Sequence, residues 1–137
     1  MKVKYVEQDE KNGCGIACLA MVLGTTYAEV RKHFETDFEK KGVPFDRLVE
    51  YLGECGHQIV KKEVLNWEHV EFTRQEMLKP FAPMHIVNVQ QQFDSKDRHC
   101  VVMDANGKLY CPSGQTQETI QTVYAVHEVA GLWKSQK

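Results

Sequence analysis

No apolar stretch of this sequence is long enough to cross a bilayer. The longest, Ile16 to Leu23, has about half the minimum length of a spanning helix. There is no GxxxxGK[ST] run, so no phosphate-cradling loop is expected. Charge of one sign is also missing: 17 basic and 19 acidic side chains are interspersed, for a net charge of −2. That excludes a nucleic-acid footprint and a polybasic membrane patch. The N-terminus, MKVKYVEQDEKNG, has no apolar core before a cleavage site and does not read as a signal peptide. Internal repeats and low-complexity segments are absent. The expectation is a freestanding, soluble, cytoplasmic chain with neither nucleic acid nor membrane as partner. At 137 residues and 42% apolar content, residues 1–137 suit a single domain with one core.

Close Cys-x-x-Cys pairs are lacking as well. The five cysteines, at 14, 18, 55, 100 and 111, are odd in number and irregular in spacing. This is no secreted disulfide framework, and a reducing compartment fits better. A zinc site is the other use such residues have, with Cys14, Cys18, His99, Cys100 and Cys111 as the ligand pool. Its spacing is wrong, and adjacent His99 and Cys100 would face opposite sides of a strand. No metal and no cofactor are expected.

What is present is a change of character in the stretch QDEKNGCGIACLAMVLG, Gln8 to Gly24. It is polar and turn-prone to Gly13, then almost wholly apolar from Cys14. It reads as a loop feeding a helix buried on most faces, running from about Asn12 to Leu23, with Asn12 as cap and Gly24 just past the end. Cys14 falls in the first turn, where unpaired amides and the helix dipole favour a thiolate. Gly13 and Gly15 leave room for a backbone or a substrate near the sulfur. Cys18, one turn on, reads as a buried hydrophobe.

Around this stretch the pattern is helices first and strands after. Met1 to Val6 is a short edge strand or an extended lead-in. Thr26 and Glu29 form a capping box for a second helix carrying Tyr27, Val30 and Phe34. Pro44 opens a third helix with an apolar stripe of Phe45, Leu48, Val49, Tyr51 and Leu52. His57 to Val64 alternates as a strand, and Thr73 to Lys79 reads as a short helix stopped by Pro80. Phe81 to Val89 and His99 to Asp104 are strands. Asn106-Gly107 is a hairpin turn, and Lys108 to Cys111 is the returning strand. A last strand is expected around Val123 to Val129, with an apolar end at Leu132-Trp133. Such an order is α+β, N-terminal helices packed on a mostly antiparallel sheet.

A thiol nucleophile needs a base and oxyanion donors, and usually a group that orients the base. His99, at a loop-to-strand junction, is the candidate base. The other histidines, at 33, 57, 69, 85 and 127, lie in polar surroundings, at a turn or within strands. Gln8 is the candidate oxyanion donor.

The spacing Gln8-x5-Cys14-Gly15-x-Ala17 before an apolar helix resembles the papain-like cysteine peptidases that process bacteriocin leader peptides. The segment His99-Cys100-Val101-Val102-Met103 resembles that family's histidine strand. The likeness runs from about Gln8 to Gly114. It implies a papain-like fold, with Cys14 as nucleophile, His99 as base and Gln8 as oxyanion donor. It also implies a peptide or protein substrate cut beside small residues. In that family an Asp-Pro pair on the next strand orients the histidine, whereas here the text is Cys111-Pro112. Motif alignment therefore points to Cys111 as the third member. A tight two-residue turn at Asn106-Gly107 would instead place Gly114 opposite His99, with Ser113 and Gln115 nearby, and both solutions stand. Asp104 is a poor substitute, because it lies about 16 Å along the strand and on the other face. Two further functions fit the same residues: a module that binds a peptide or protein without cutting it, and a thiol hydrolase acting on a modified protein or other non-peptide substrate.

Overall fold

The computed structural model describes residues 3–8, 12–34, 42–63, 80–90, 99–112 and 125–134. Among these residues, three helices precede five strands: α1 Cys14–Leu23, α2 Tyr27–Arg31, α3 Phe45–Glu54, β1 His57–Glu63, β2 Met84–Gln90, β3 His99–Asp104, β4 Leu109–Tyr110 and β5 Ala125–Lys134. The strands form one sheet in the order β1-β5-β2-β3-β4, each neighbouring pair antiparallel. This is the expected α+β layout of helices on an antiparallel sheet. The short helix expected at Thr73 to Lys79 lies outside the described residues. Among those residues no helix is long and apolar enough to cross a membrane.

The helix α1 is buried along nearly its whole length, from Gly15 to Val22. It packs against β3, α2 and α3. One sheet face supplies Met84, Ile86, Cys100, Val102, Ala130 and Leu132 to the same core. The space beside Gly15 is filled by Leu48 of α3, whose side-chain carbons would lie 3.0 and 3.1 Å from an added Cβ. The glycine thus admits a neighbouring helix, not a substrate. The α1 helix ends where expected, at Gly24 in the left-handed region (φ 70°). Thr26 then caps α2, its Oγ1 accepting from the Glu29 amide at 3.2 Å. The reciprocal half of the box is missing, since the Glu29 carboxylate pairs with Lys32 at 2.8 Å.

Residues 3–8 form a lead-in rather than a strand. It is fastened beyond β4, where Tyr5 Oη donates to the Cys111 carbonyl and the Gln8 amide to that of Pro112, each at 2.7 Å. The last strand runs past its expected end at Val129, to Lys134. Ala130-Gly131 is weak strand sequence, yet β5 runs through it because it is paired on both sides, to β1 and β2. Phe81 lies over Gly131, where a Cβ would overlap its ring.

The β3–β4 turn holds one residue more than a two-residue hairpin. Met103 pairs with Leu109 and Val102 with Tyr110, and the Asp104 amide donates to the Lys108 carbonyl at 3.0 Å. Ala105, Asn106 and Gly107 (φ 85°) make the loop. Asp104 Oδ1 accepts from the amides of Asn106 and Lys108, at 2.8 and 3.0 Å. The extra residue exchanges the faces of everything after it. Cys111 therefore joins Val101, Met103 and Leu109 in the core on the other side of the sheet.

His85 is fully buried in β2. Its Nε2 accepts from the amides of Phe81 and Ala82, both at 3.1 Å, and its Nδ1 donates to the Met103 carbonyl at 3.1 Å. These bonds fix a neutral ring, and burial lowers its pKa from the ordinary 6.5. The unfolded chain binds this proton more readily. The resulting stability is complete above about pH 6.5 and falls as pH drops below it. Urea midpoints measured from pH 7.5 to 5 should fall for the wild type on this account. In His85→Phe that part of the slope should vanish, and stability at pH 7.5 should drop by about 1–3 kcal/mol for each orphaned amide.

Candidate active site

The N-terminus of α1 abuts the start of β3, and there four of the sequence's chemistry-bearing side chains meet. Cys14 is the first helical residue, following Gly13 (φ −93°, ψ 13°). Asn12 does not take the capping position: Gly13 does, and it has no side chain to cap with. No acidic residue lies in that turn either, so the dipole acts on Cys14 without a competing carboxylate.

On β3, His99 and Cys100 point to opposite faces, as their adjacency requires. Cys100 joins the core under the helices. It stands opposite Asn88, whose Nδ2 donates to Glu128 Oε2 at 3.1 Å. Lys61 in turn pairs with Glu128 Oε1 at 2.9 Å. His99, at the strand end, is part-buried and reaches both sulfurs beside it. Its Nε2 lies 2.9 Å from Cys111 Sγ, and it also hydrogen-bonds Cys14. Ser113 and Gln115, the alternatives to Cys111, lie outside the described residues. The Gln8 backbone amide donates to the carbonyl of Pro112, the residue after Cys111, and the Gln8 Oε1 is buried.

The Cys14 thiol is lowered from the ordinary 9.0 to about 4. The Cys100 S–H donating to its sulfur is the largest cause. Burial opposes this, and the hydrogen bond and positive charge of His99 and the Cys100 amide add to the lowering. His99 responds in the other direction, up to about 10. Burial pulls it down, but hydrogen bonds to Cys111 and Cys14 and the negative charge near its ring outweigh that. Both shifts run in the direction of a thiolate–imidazolium pair. Cys18, fully buried, is pushed up by burial and by the neighbouring sulfurs of Cys14 and Cys111, and behaves as a core residue.

Cys100 is the residue that sequence reasoning missed. Its signal was position: it follows the histidine on a strand, so it faces the helix that carries Cys14. Tyr110 Oη donates to Asp104 Oδ2 at 3.2 Å, and Asp104 serves the hairpin. Among the described residues, no three His, Cys, Asp or Glu side chains form a metal-holding group.

Two solved structures share this fold. One is a double glycine motif protease from an AMS/PCAT transporter, solved in complex with the leader peptide. It superposes with a TM-score of 0.61 at 18% identity, over 96% of this chain and 91% of that one. The other is the peptidase domain of Streptococcus ComA, a bifunctional ABC transporter involved in quorum sensing. Its TM-score is 0.53 at 17% identity, over 98% of this chain and 100% of that domain. The helices on an antiparallel sheet are therefore the papain-like arrangement of such peptidase domains. No protein-family model and no curated protein matches the chain.

A thiolate held by these donors should alkylate at neutral pH without a base step. Iodoacetamide labelling of Cys14, followed from pH 3 to 10 by peptide mass, should titrate near pH 4. In His99→Ala and in Cys100→Val the midpoint should rise toward the ordinary thiol value of about 8.5. A wild-type midpoint near 8.5 would remove the ion pair.

Proposed function

We propose that this chain is a cysteine peptidase of the leader-processing kind, cutting a peptide bond beside small residues of a peptide or protein substrate. The observation that carries the reading is the Cys14–His99 pair at a helix N-terminus, in a fold shared with a protease solved on its leader peptide. Residues 1–137 would act as one domain. A reducing cytoplasm would keep its thiols reduced, and no cofactor is needed.

In this mechanism the Cys14 thiolate attacks the scissile carbonyl carbon. The oxyanion takes hydrogen bonds from the Gln8 side-chain amide and the Cys14 backbone amide. His99 gives its proton to the leaving amine, and a thioester remains on Cys14. His99 then takes a proton from water, which attacks the thioester, and the acid product leaves with the thiolate restored. With Nε2 engaged by Cys111, Nδ1 is the ring nitrogen that exchanges protons. Cys111 is the positioning residue, filling the place of an aspartate. A thiol stabilises imidazolium less than a carboxylate does, so turnover should be slow for this class.

The Cys111 departure is what would favour a module that binds without cutting. Against it stands the thiolate, which a binding site does not require. A third reading, a thiol hydrolase on a non-peptide bond, would alkylate at Cys14 in the same way.

A library of peptides carrying paired small residues separates the first reading from the other two. The wild type should cleave some members, and Cys14→Ala should cleave none while unfolding at the same urea concentration. Labelled Cys14 with an uncut library would leave the other two readings. For the third member, Cys111→Ala should lower kcat by about tenfold or more with little change in KM. The imidazole pKa, followed by NMR, should fall with it. A lost kcat with an unmoved imidazole would mean that Cys111 acts through the fold instead.

A further inference from the structure

The register that joins β3 to β4 stops at Val102 and Tyr110, one residue before Cys111. Pro112 follows, and without an N–H it cannot carry the ladder on. The thiol that meets His99 therefore sits just past the end of its strand.

The lead-in at residues 3–8 holds that backbone from the side. Tyr5 Oη donates to the Cys111 carbonyl at 2.7 Å, and the Gln8 amide donates to the next carbonyl, that of Pro112, also at 2.7 Å. The lead-in is itself anchored: Val3 is buried in the core under the helices, and Val6 packs against that core. Tyr5 is 43% exposed, so it buries little for a residue of its size, and its hydroxyl is the part that reaches the site. One short segment thus bonds two consecutive carbonyls. The first belongs to the residue that meets His99, and the second is bonded by the candidate oxyanion donor.

We propose that Tyr5 is a positioning residue of the candidate site: its hydroxyl, by holding the Cys111 carbonyl, fixes the angle at which the Cys111 sulfur meets Nε2 of His99. Two direct contacts make the connection, Tyr5 Oη to the Cys111 carbonyl at 2.7 Å and Cys111 Sγ to His99 Nε2 at 2.9 Å. A peptide unit that loses this bond gains freedom to rotate about the bonds flanking Cys111, and the Cys111 side chain swings with it. Hydrogen bonds weaken steeply with misalignment, so a modest rotation loosens the contact with the imidazole. In this role Tyr5 acts through Cys111 and not on the substrate. Its effect on turnover rests on the peptidase reading above, and its coupling to His99 does not.

The test reads the imidazole and needs no substrate. Burial pulls the His99 pKa down, and the Cys111 hydrogen bond is the first of the contacts that raise it. The His99 titration is followed by NMR in the wild type, Tyr5→Phe, Cys111→Ala and the double variant, the signal being assigned by its loss in His99→Ala. Tyr5→Phe should lower the midpoint, a roughly threefold loss of proton affinity, and less than Cys111→Ala lowers it. In the double variant Tyr5→Phe should add nothing to Cys111→Ala, because the hydroxyl then has no sulfur to position. Val6→Ala trims the packing of the same lead-in and keeps the hydroxyl. It should lower the urea midpoint and leave the titration in place. An unmoved imidazole in Tyr5→Phe, an equal shift in Val6→Ala, or a Tyr5→Phe shift that persists on top of Cys111→Ala would each overturn the proposal. So would a Tyr5→Phe protein that fails to fold, since the hydroxyl would then serve the fold. On any peptide that the wild type cuts, Tyr5→Phe should lower kcat about threefold or more with KM unchanged. A protein that shows these titrations and cuts no peptide would keep this inference and remove the peptidase reading. One that cuts peptides while its Tyr5→Phe titration is unmoved would do the reverse.

Discussion

The contacts of Cys14 with Cys100 and His99 at the start of β3 join the helices to the sheet at the candidate site. They are short-range and directional, and they have value only if both elements are held still. The apolar packing of α1 does that. Ile16, Leu19 and Ala20 are fully buried, and Leu48 closes over Gly15, so the helix has no direction in which to roll. Burial on its own would push a thiol toward its neutral form. Here the S–H and amide of Cys100, with the imidazolium of His99, reverse the sign. The same desolvation that opposes the charge also strengthens each bond that supports it.

Much of this was legible in the sequence because it depends on local signals. The polar-to-apolar change at Cys14, the glycine after Leu23, and Thr26 before Glu29 mark helix ends by mechanisms that act within a turn. The strands of the sheet were likewise visible as runs of β-branched residues. The misreadings concern choices that tertiary contacts make. Asn12 has the right side chain for a cap, but Gly13 takes the position. Ala130-Gly131 is poor strand sequence, but two partners hold it in register. The space at Gly15 was left for a backbone or a substrate, and a leucine from a helix more than thirty residues away fills it.

The structure brings the two principal candidates of the sequence, Cys14 and His99, to one place, while the third was ambiguous in the sequence. That ambiguity turned on the length of one loop. Asn106-Gly107 reads as a two-residue turn, but the Asp104 side chain binds the amides of Asn106 and Lys108 and so favours a loop of three. One added residue changes parity along the return strand and puts Cys111 on the face of the imidazole, 2.9 Å from Nε2. Cys100 was overlooked for a related reason. Alternation gives it the face opposite His99, and only the height of α1 above the strand end lets one sulfur meet both.

On the peptidase reading proposed above, Cys111 stands in the place of an aspartate, and where it sits accounts for that. It is wholly buried among Val87, Val101, Met103, Leu109 and Val129. A carboxylate there would lose its hydration against an apolar sheet face, and its pairing with His99 would have to offset that loss. A thiol costs little to bury and still meets Nε2. What it gives up is charge to stabilise the imidazolium, and Cys100 compensates from the other partner by holding the thiolate. The compensation is not neutral for a hydrolytic cycle. Nucleophilicity declines as thiol pKa declines, with a Brønsted slope of about 0.4–0.5, so a strongly stabilised Cys14 attacks more slowly. The same stabilisation makes it a better leaving group when water displaces it from a thioester. A site built this way shifts the burden of catalysis from deacylation to acylation, and its rate then depends on how well the substrate carbonyl is held against the sulfur.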